Sequence, residues 1–377
     1  MSEPVFVEWA EGGQPQRARW RSEAGVPPPV RLRAVDDTLT ADEAVRLASE
    51  GTGLVWRSDY HNARQLLQAM ARRMERKRKP AKPAGSITER FHQHRQQQGQ
   101  RARILGRVLV PLDGDWRIPL HRAPDVRLAC AEAWGPADGT PSLVALRELL
   151  GVIGAHEWRT KGVEIPALGA RIHPHYGVFS PVRGEYVDLV AQAPLPHLDL
   201  AFDVGTGTGV IAALLAKRGV KRVVATDVDE RALACARDNI ARLGLAKQVD
   251  VVRADLFPEG PAPLIVCNPP WLPGRASAPL ERAIYDEDSR MTRAFLAGLR
   301  AHLAPGGEGW LVMSDFAEHL GLRAPGELAS WIEAAGLRVM ARDDTRPRHP
   351  KAVDADDPLH DARARETTSL WRLAAQR

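Results

Sequence analysis

The chain has 377 residues, of which 44% are hydrophobic and 26% charged, and its formal net charge at pH 7 is +5. A single compact domain typically takes about 100–200 residues, so the length predicts a second domain. The composition excludes a disordered chain, and no apolar run approaches the roughly 20 residues that span a bilayer, so we expect a cytoplasmic protein without membrane contact.

Neither the cysteines nor the histidines indicate a metal site. Cys130, Cys235 and Cys267 are scattered and odd in number, which favours a reducing compartment over a disulfide or zinc framework. His173 and His175 lie close together, but no Cys or carboxylate nearby in the sequence completes a tetrahedral set. We therefore expect a solvated histidine pair and no metal.

Charge is distributed unevenly along the first half. Residues 57–107 contain 14 Lys or Arg against three acids, a net +11, which leaves −6 for the rest of the chain. The spacing predicts a helix over 63–74, and we interpret 91–103, rich in Gln, His and Arg, as part of a flexible basic linker. Such a segment favours contact with nucleic acid or a ribonucleoprotein, and a solubilising linker is the alternative.

Other signals in this half predict a smaller mixed α/β domain. Residues 39–48 form an amphipathic pattern with Thr40 as N-cap and a Glu three positions later. Residues 105–112 and 117–120 are candidate strands, and 142–150 a candidate helix. We expect one domain over 1–155 and a second over 156–377.

A glycine-rich turn follows the first strand of the second half. Residues 200–204 predict a strand, 210–217 a helix and 223–225 a second strand that ends at an acid. The turn between strand and helix is Gly205-Thr206-Gly207-Thr208-Gly209, where the backbone can approach a ligand closely. Asp227 lies about 20 residues further on, where a carboxylate can accept both hydroxyls of a ribose.

Three acidic positions indicate which nucleoside binds. The turn formally fits the relaxed nicotinamide fingerprint, but Asp203 at its entrance would repel a pyrophosphate and can bind an ammonium. The next predicted strand, 249–252, is followed by Asp255, which could accept from an adenine amino group, and by Leu256 and Phe257, either of which could pack on the ring. A ligand with an ammonium, a ribose and an adenine but no phosphate is S-adenosylmethionine.

The strand predicted over 264–267 leads into an unusual turn, Asn268-Pro269-Pro270-Trp271. Proline fixes its own φ and donates no N–H, so the chain leaves the sheet rigidly. An Asn amide, a nearby carbonyl and a flat aromatic suit one task, which is to hold a planar NH2 group by both hydrogens. A proline-rich turn after a core strand is the alternative.

Later segments continue the alternation of strand and helix. The predicted helices are 229–243, 290–303 and 327–335, and the predicted strands are 309–314, 337–341 and 368–373. This order requires a mostly parallel sheet covered on both faces. The fold class is therefore α/β and Rossmann-like.

These motifs together resemble a known family. The loop with Asp203, the two later acids and the Asn-Pro-Pro-aromatic turn occur in order, as in class I S-adenosylmethionine-dependent methyltransferases of the small-domain type. Similar proteins include release-factor glutamine N-methyltransferases and ribosomal guanine N2-methyltransferases. The resemblance covers roughly residues 165–375 and implies a seven-stranded sheet with an antiparallel last strand. Trp271 departs from the usual Tyr or Phe.

The resemblance also assigns roles to domains and residues. It implies that a substrate-recognition domain precedes the catalytic one, so we expect recognition over 1–155 and catalysis over 156–377. It implies that S-adenosylmethionine is the cofactor, that Asn268 and the carbonyl of Pro269 bind the target nitrogen, and that no strong general base is needed. It places Tyr176 and Phe179, which precede the glycine loop, near the methionine end of the cofactor. Core packing of these two aromatics is the alternative.

The predicted activity is methyl transfer to a planar NH2 nitrogen. The acceptor is a nucleic-acid exocyclic amine, with RNA favoured, or a protein glutamine carboxamide, so the expected partners are nucleic acid, the ribosome or a translation factor. Two rival interpretations stay open: a nucleic-acid-binding protein whose catalytic sheet only senses the cofactor, and a nicotinamide-dependent oxidoreductase.

Overall fold

The structure is a computed structural model and describes residues 4–76, 85–181, 184–276, 279–348, 354 and 357–376. The chain divides into two compact units, Met1–Glu157 and Trp158–Arg377. Within the described residues, no helix is both long and apolar enough to cross a bilayer.

The first unit is a six-stranded mixed sheet with helices. Its strands are β1 (Phe6–Glu11), β2 (Gln14–Arg21), β3 (Arg31–Val35), β4 (Thr52–Trp56), β5 (Val108–Leu112) and β6 (Ser142–Ala145). Its helices are α1 (Ala41–Ser49), α2 (Tyr60–Arg76), α3 (Ile87–Leu105), α4 (Arg127–Trp134) and α5 (Leu146–Lys161), the last of which continues past the boundary. The strand order is β1-β2-β6-β5-β4-β3, with β3, β4 and β5 parallel. The expected mixed α/β domain is thereby confirmed.

Several local predictions in this unit are confirmed. The Thr40 hydroxyl accepts a hydrogen bond from the Glu43 N–H at 3.3 Å and caps α1. The helix predicted over 63–74 lies within α2, where Leu66, Leu67 and Met70 are buried. The capping pattern therefore predicted α1 correctly, and the apolar spacing predicted α2.

Other predictions here are wrong. Residues 91–103 are not a flexible linker but lie in α3, which begins with a capping box between Ser86 and Glu89. Residues 142–145 form β6, because they pair with β2 and β5, and the helix begins only at Leu146. The strand predicted over 105–112 begins at Val108, and 117–120 form no regular strand. The stretch between α2 and α3, residues 77–84, lies outside the described residues.

The second unit contains a seven-stranded sheet with two short strand pairs. Its strands are β7 (Val163–Ile165), β8 (Ala170–Ile172), β9 (Leu200–Val204), β10 (Arg222–Asp227), β11 (Val249–Arg253), β12 (Ala262–Cys267), β13 (Leu272–Pro273), β14 (Tyr285–Asp286), β15 (Leu303–Ser314), β16 (Leu337–Thr345) and β17 (Thr368–Ala375). Its helices are α6 (Glu185–Gln192), α7 (Val210–Lys217), α8 (Glu230–Arg242), α9 (Arg290–His302), α10 (Phe316–His319), α11 (Glu327–Ala334) and α12 (His360–Arg363). Three 3-10 turns occupy Pro166–Leu168, Pro279–Ala283 and Glu287–Ser289.

The seven strands are ordered β11-β10-β9-β12-β15-β17-β16. The first five strands are parallel to one another, whereas β17 is antiparallel to both β15 and β16. This confirms the predicted Rossmann-like sheet with an antiparallel closing hairpin. The order reverses at β9, and in open α/β sheets ligands bind at such a reversal, beyond the carboxyl ends of the strands.

Alternate residues of the central strands pack on opposite faces of this sheet. One face, with Ala201, Val266 and the helices α6 and α7, forms one hydrophobic cluster. The other face, with Phe202, Cys267 and the helices α9 and α11, forms a second cluster. Burial on both faces explains why these strands are continuous apolar runs in the sequence.

Candidate active site

The predicted site residues from three strands meet at one edge of the seven-stranded sheet. In the register, Val204 of β9 pairs with Thr226 of β10 and with Cys267 of β12. The next residue on each strand is therefore Gly205, Asp227 or Asn268. Since neighbouring strands lie about 4.8 Å apart, these three residues lie side by side at the carboxyl edge.

The glycine loop leaves β9 and enters α7. Gly205, Gly207 and Gly209 have φ values of 72°, 55° and 81°, a region that strongly favours glycine. A Cβ at Gly205 would lie 2.8 Å from the Met291 Cε, and one at Gly209 would lie 3.3 Å from Ala236. A Cβ at Gly207 would meet nothing within 4 Å, so that part of the loop borders open space.

Asp203, the residue before the last of β9, holds this loop through hydrogen bonds. It is 1% exposed, and its Oδ2 accepts hydrogen bonds from the Thr206 hydroxyl at 2.6 Å and the Ala212 N–H at 3.0 Å. Its Oδ1 makes neither bond. Burial raises the pKa of this carboxyl from 3.8 to about 6, although the two hydrogen bonds lower it. A cationic group placed at Oδ1 would favour the ionised form.

Asp227 connects the second strand to the same loop. Its Oδ2 accepts from the Gly207 N–H, and its Oδ1 from the Asp229 N–H, both at 3.0 Å. Burial raises the pKa of this carboxyl above its ordinary value. The side chain thus lies directly against the glycine turn, as the spacing predicted, with both oxygens held by backbone N–H groups.

The residues after β11 separate into exposed and packed positions. Asp255 is exposed just beyond the strand. Leu256 has a positive φ of 66°, and its carbonyl accepts from the Thr226 hydroxyl at 2.6 Å. The Phe257 ring stacks on His302 and Phe295, at centroid distances of 4.2 and 5.6 Å. Both Leu256 and Phe257 are half-buried and pack against the second hydrophobic cluster.

The Asn268-Pro269-Pro270-Trp271 turn continues from β12. Cys267 is fully buried, and burial raises its thiol pKa well above 9, which fits a core residue rather than a nucleophile. The Trp271 indole N–H donates to the Asn268 Oδ1 at 3.0 Å. The Trp271 ring is half-buried and packs against both hydrophobic clusters. The turn is thus closed internally by a side-chain hydrogen bond that the sequence did not predict.

The acidic residues after the turn cap a helix. Asp286 is buried, and its carboxylate accepts from the backbone N–H groups of Met291 and Thr292 at 2.9 and 3.1 Å. β14 pairs with β13, and the Gly274 N–H donates to the Asp286 carbonyl. This cap places α9, and with it Met291, beside Gly205.

The segment before the glycine loop is tied to α8 by Asn239, which the sequence reasoning missed. Asn239 is fully buried, accepts from the His173 N–H at 2.7 Å, and donates to the carbonyls of His173 and Thr208 at 3.2 and 3.0 Å. The sequence did carry a signal for this role, because Asn239 is a polar residue at a position of the amphipathic helix α8 where the spacing predicts burial. Tyr176 lies under the Arg231 guanidinium, 5.6 Å from the ring centroid, and Phe179 is half-buried.

The prediction of a solvated histidine pair is wrong. The His173 ring contacts the Arg159 carbonyl at 2.6 Å, and the His175 ring contacts the Asp238 carboxylate at 3.1 Å. The His173 ring is thus held by the end of α5 and the His175 ring by α8. No group of three or more His, Cys, Asp or Glu suited to a metal ion occurs in the described part of the chain.

Comparison with known proteins agrees with this geometry. A family model described as the methyltransferase small domain matches residues 169–322. The release factor glutamine methyltransferase of Deinococcus radiodurans is 31% identical over 233 residues, covering 58% of this chain and 77% of that enzyme. The chain belongs to the methyltransferase small-domain family. The predicted resemblance to class I S-adenosylmethionine-dependent methyltransferases is confirmed.

Two further relatives match shorter parts of this chain. The release factor glutamine methyltransferase of Cereibacter sphaeroides is 33% identical over 169 residues, 41% of this chain and 58% of that enzyme. The tRNA1(Val) (adenine(37)-N6)-methyltransferase of Bacteroides thetaiotaomicron is 39% identical over 96 residues, 24% of this chain and 40% of that enzyme. The chain therefore spans less than two thirds of either protein.

Proposed function

We propose that this protein transfers a methyl group from S-adenosylmethionine to a planar NH2 nitrogen. The observation that carries the proposal is the strand register, in which Asn268 lies beside Gly205 and Gly205 beside Asp227. An amide suited to hold the acceptor and a loop suited to hold the cofactor then occupy adjacent strand ends. This adjacency suits a reaction in which catalysis is mainly alignment.

The residues present fit S-adenosylmethionine. Open space borders Gly207, and carboxylates rather than cations flank the loop at Asp203 and Asp227. This charge would repel a pyrophosphate but suits an ammonium and a ribose. Asp203 would bind the ammonium, Asp227 the ribose, and Asp255 with Leu256 the adenine, while Tyr176 and Phe179 would border the methionine end. The cofactor supplies an electrophilic methyl group on a sulfonium.

The catalytic turn would act on the acceptor nitrogen. Asn268 Oδ1 and the Pro269 carbonyl accept its two N–H bonds, which favours a pyramidal nitrogen and stabilises the positive charge that develops during attack. Pro270 keeps the turn rigid, and Trp271 contributes its flat ring beside the acceptor. The extra proton leaves to solvent after transfer, so no strong general base is required.

The acceptor is proposed to belong to the translation machinery. The relatives' names specify a release-factor glutamine and a tRNA adenine, and both present a planar NH2 group. In the first unit, the 19-residue helix α3 buries only Phe91, Ile104 and Leu105. This helix lies in the segment 57–107, whose net charge is +11. A long basic helix with few buried residues favours a phosphate-rich partner. We infer an acceptor presented on RNA or on a ribonucleoprotein.

Radiolabelled S-adenosylmethionine in a cell extract tests this function. Wild type should incorporate label, and Asn268→Ala should lose about 100-fold in turnover, comparable to removing one stabilising acceptor, with little change in cofactor affinity. Gln248→Ala removes a half-buried carboxamide just before β11, at the edge of the sheet opposite the site; it is the matched control and should keep wild-type turnover.

Digestion of the products separates the two acceptors. Label released by nuclease would identify a nucleobase, and label released only by protease would identify a glutamine carboxamide. Equal losses of turnover and cofactor affinity in Asn268→Ala would refute its assigned role. Binding of NADH but not S-adenosylmethionine would instead support the oxidoreductase interpretation, and cofactor binding with no transfer to any pool would support the sensing interpretation.

A further inference from the structure

The hydrogen bond inside the catalytic turn fixes the orientation of the Asn268 carboxamide. The Trp271 Nε1 is 3.0 Å from the Asn268 Oδ1. An indole N–H can only donate, so the atom opposite it must be the carboxamide oxygen. The other orientation would place the Asn268 NH2 group against the indole N–H, two donors facing each other. The bond therefore selects one of the two flips of the amide.

The indole itself is fixed in place. Its ring packs against the hydrophobic clusters on both faces of the sheet, and the main-chain carbonyl of Trp271 accepts from the Arg323 guanidinium at 3.4 Å. Arg323 is only 4% exposed and also reaches the Ser289 hydroxyl at 3.5 Å. A ring held this way can fix the orientation of the Asn268 amide, because the terminal χ2 torsion of an asparagine is soft.

We propose that Trp271 is a positioning residue that presets the Asn268 carboxamide with its oxygen at the acceptor. The inference rests on the proposed function, because it concerns how the same turn grips the NH2 group. Oδ1 has two lone pairs, so it can accept from the indole and from one acceptor N–H together. The flipped amide would point a donor at the acceptor's own donors and could not grip it. Phe or Tyr, lacking an indole N–H at this edge, would not set the amide in this way.

The effect on rate follows from the strength of one hydrogen bond. A net contribution of about 0.5–1.5 kcal/mol corresponds to a roughly 2- to 10-fold change in rate. Trp271→Phe keeps a flat ring and removes the N–H, so kcat should fall by about that factor. The KM for S-adenosylmethionine should stay unchanged, because the loop and the acids that would hold the cofactor are separate from this bond.

A second background separates positioning from packing or stacking. Asn268→Asp replaces the amide by a carboxylate, whose two oxygens are equivalent, so no flip exists to be selected. Adding Trp271→Phe to Asn268→Asp should therefore change kcat by less than about 1.5-fold, against the 2- to 10-fold loss in the wild-type background. Trp371→Phe, another half-buried indole packed against the second cluster, is the matched control and should leave kcat unchanged in both backgrounds.

Each outcome is decisive. Equal losses from Trp271→Phe in both backgrounds would show a stacking or packing role and overturn the inference while leaving the proposed function intact. Unchanged kcat in the wild-type background would also overturn it. Loss of all turnover in Asn268→Asp would show that an oxygen facing the acceptor is not sufficient, which contradicts it too. If wild type binds S-adenosylmethionine but methylates neither nucleic acid nor protein, the proposed function fails and this inference fails with it.

Discussion

Replacing Asp203 with Asn should stabilise the ligand-free protein at neutral pH. The buried carboxyl has a pKa of about 6, against 3.8 for an unperturbed group. At 1.36 kcal/mol per pKa unit, this difference lowers the free energy of unfolding by about 3 kcal/mol once the group is ionised. Asn retains an oxygen that can accept from Thr206 and Ala212, and it carries no charge to bury.

The pH dependence has a definite sign. Because the folded-state pKa is raised, the folded protein binds the proton more tightly than the unfolded chain. The stabilisation from that proton is fully present below about pH 3.8 and is lost as the pH rises through about 6. Asp203→Asn should therefore gain up to about 3 kcal/mol over wild type at pH 7 and almost nothing at pH 4.

Urea unfolding between pH 4 and pH 7.5 measures this difference. The chain has two units, so the relevant transition is the one that S-adenosylmethionine shifts. Asp199→Asn is the matched control, because Asp199 lies just before β9 and its side chain is 74% exposed; it should change stability by less than about 0.5 kcal/mol.

Cofactor affinity should move in the opposite direction to stability. If Asp203 binds the ammonium of S-adenosylmethionine, Asp203→Asn removes a charge-assisted hydrogen bond and should weaken binding by roughly 10- to 100-fold in calorimetry. Wild-type affinity should rise as the pH increases through about 6. A variant that is less stable than wild type at pH 7, or equally shifted at pH 4 and pH 7, would refute the reasoning.

Two other substitutions test how the loop is held. Gly209→Ala should weaken cofactor binding and lower the unfolding free energy by about 1–3 kcal/mol, because φ is +81° and the new methyl would lie 3.3 Å from Ala236; calorimetry and urea unfolding measure the two effects. Asn239→Ala should lower the unfolding free energy by roughly 2–4 kcal/mol, because it leaves buried groups of His173 and Thr208 without their amide partner; faster hydrogen exchange over 173–181 would locate the loss.

Matched controls accompany both variants. Gly219→Ala has a positive φ of 100° but nothing within 4 Å of the new methyl, so comparison with Gly209→Ala isolates the contact from the backbone strain. Asn62→Ala controls for the loss of an asparagine outside the site. Unchanged cofactor affinity in Gly209→Ala, or unchanged exchange over 173–181 in Asn239→Ala, would contradict the geometry described above.

Local sequence patterns predicted the strands and helices correctly where one type of pattern dominated. The strand over 200–204, the helix over 210–217 and the acid at 227 were predicted closely, because buried parallel strands are continuous apolar runs and the turn between them requires glycine. The prediction failed over 142–145, where strand pairing overrode a pattern also compatible with a helix. It also failed over 91–103, where polar composition suggested a linker although a capping box begins a helix.

The sequence by itself determined the order of the main strands and helices around the glycine loop, the family and the identity of the proposed site residues, because periodicity, turn chemistry and motif spacing are local properties of the chain. Only the tertiary structure decided which strand ends are neighbours, and thus that Gly205, Asp227 and Asn268 share one edge. It also decided that Asn239 fastens the preceding segment and that Trp271 holds the Asn268 amide. Such contacts depend on strand register and on the packing of helices against the sheet, which bring together residues that are distant in the chain.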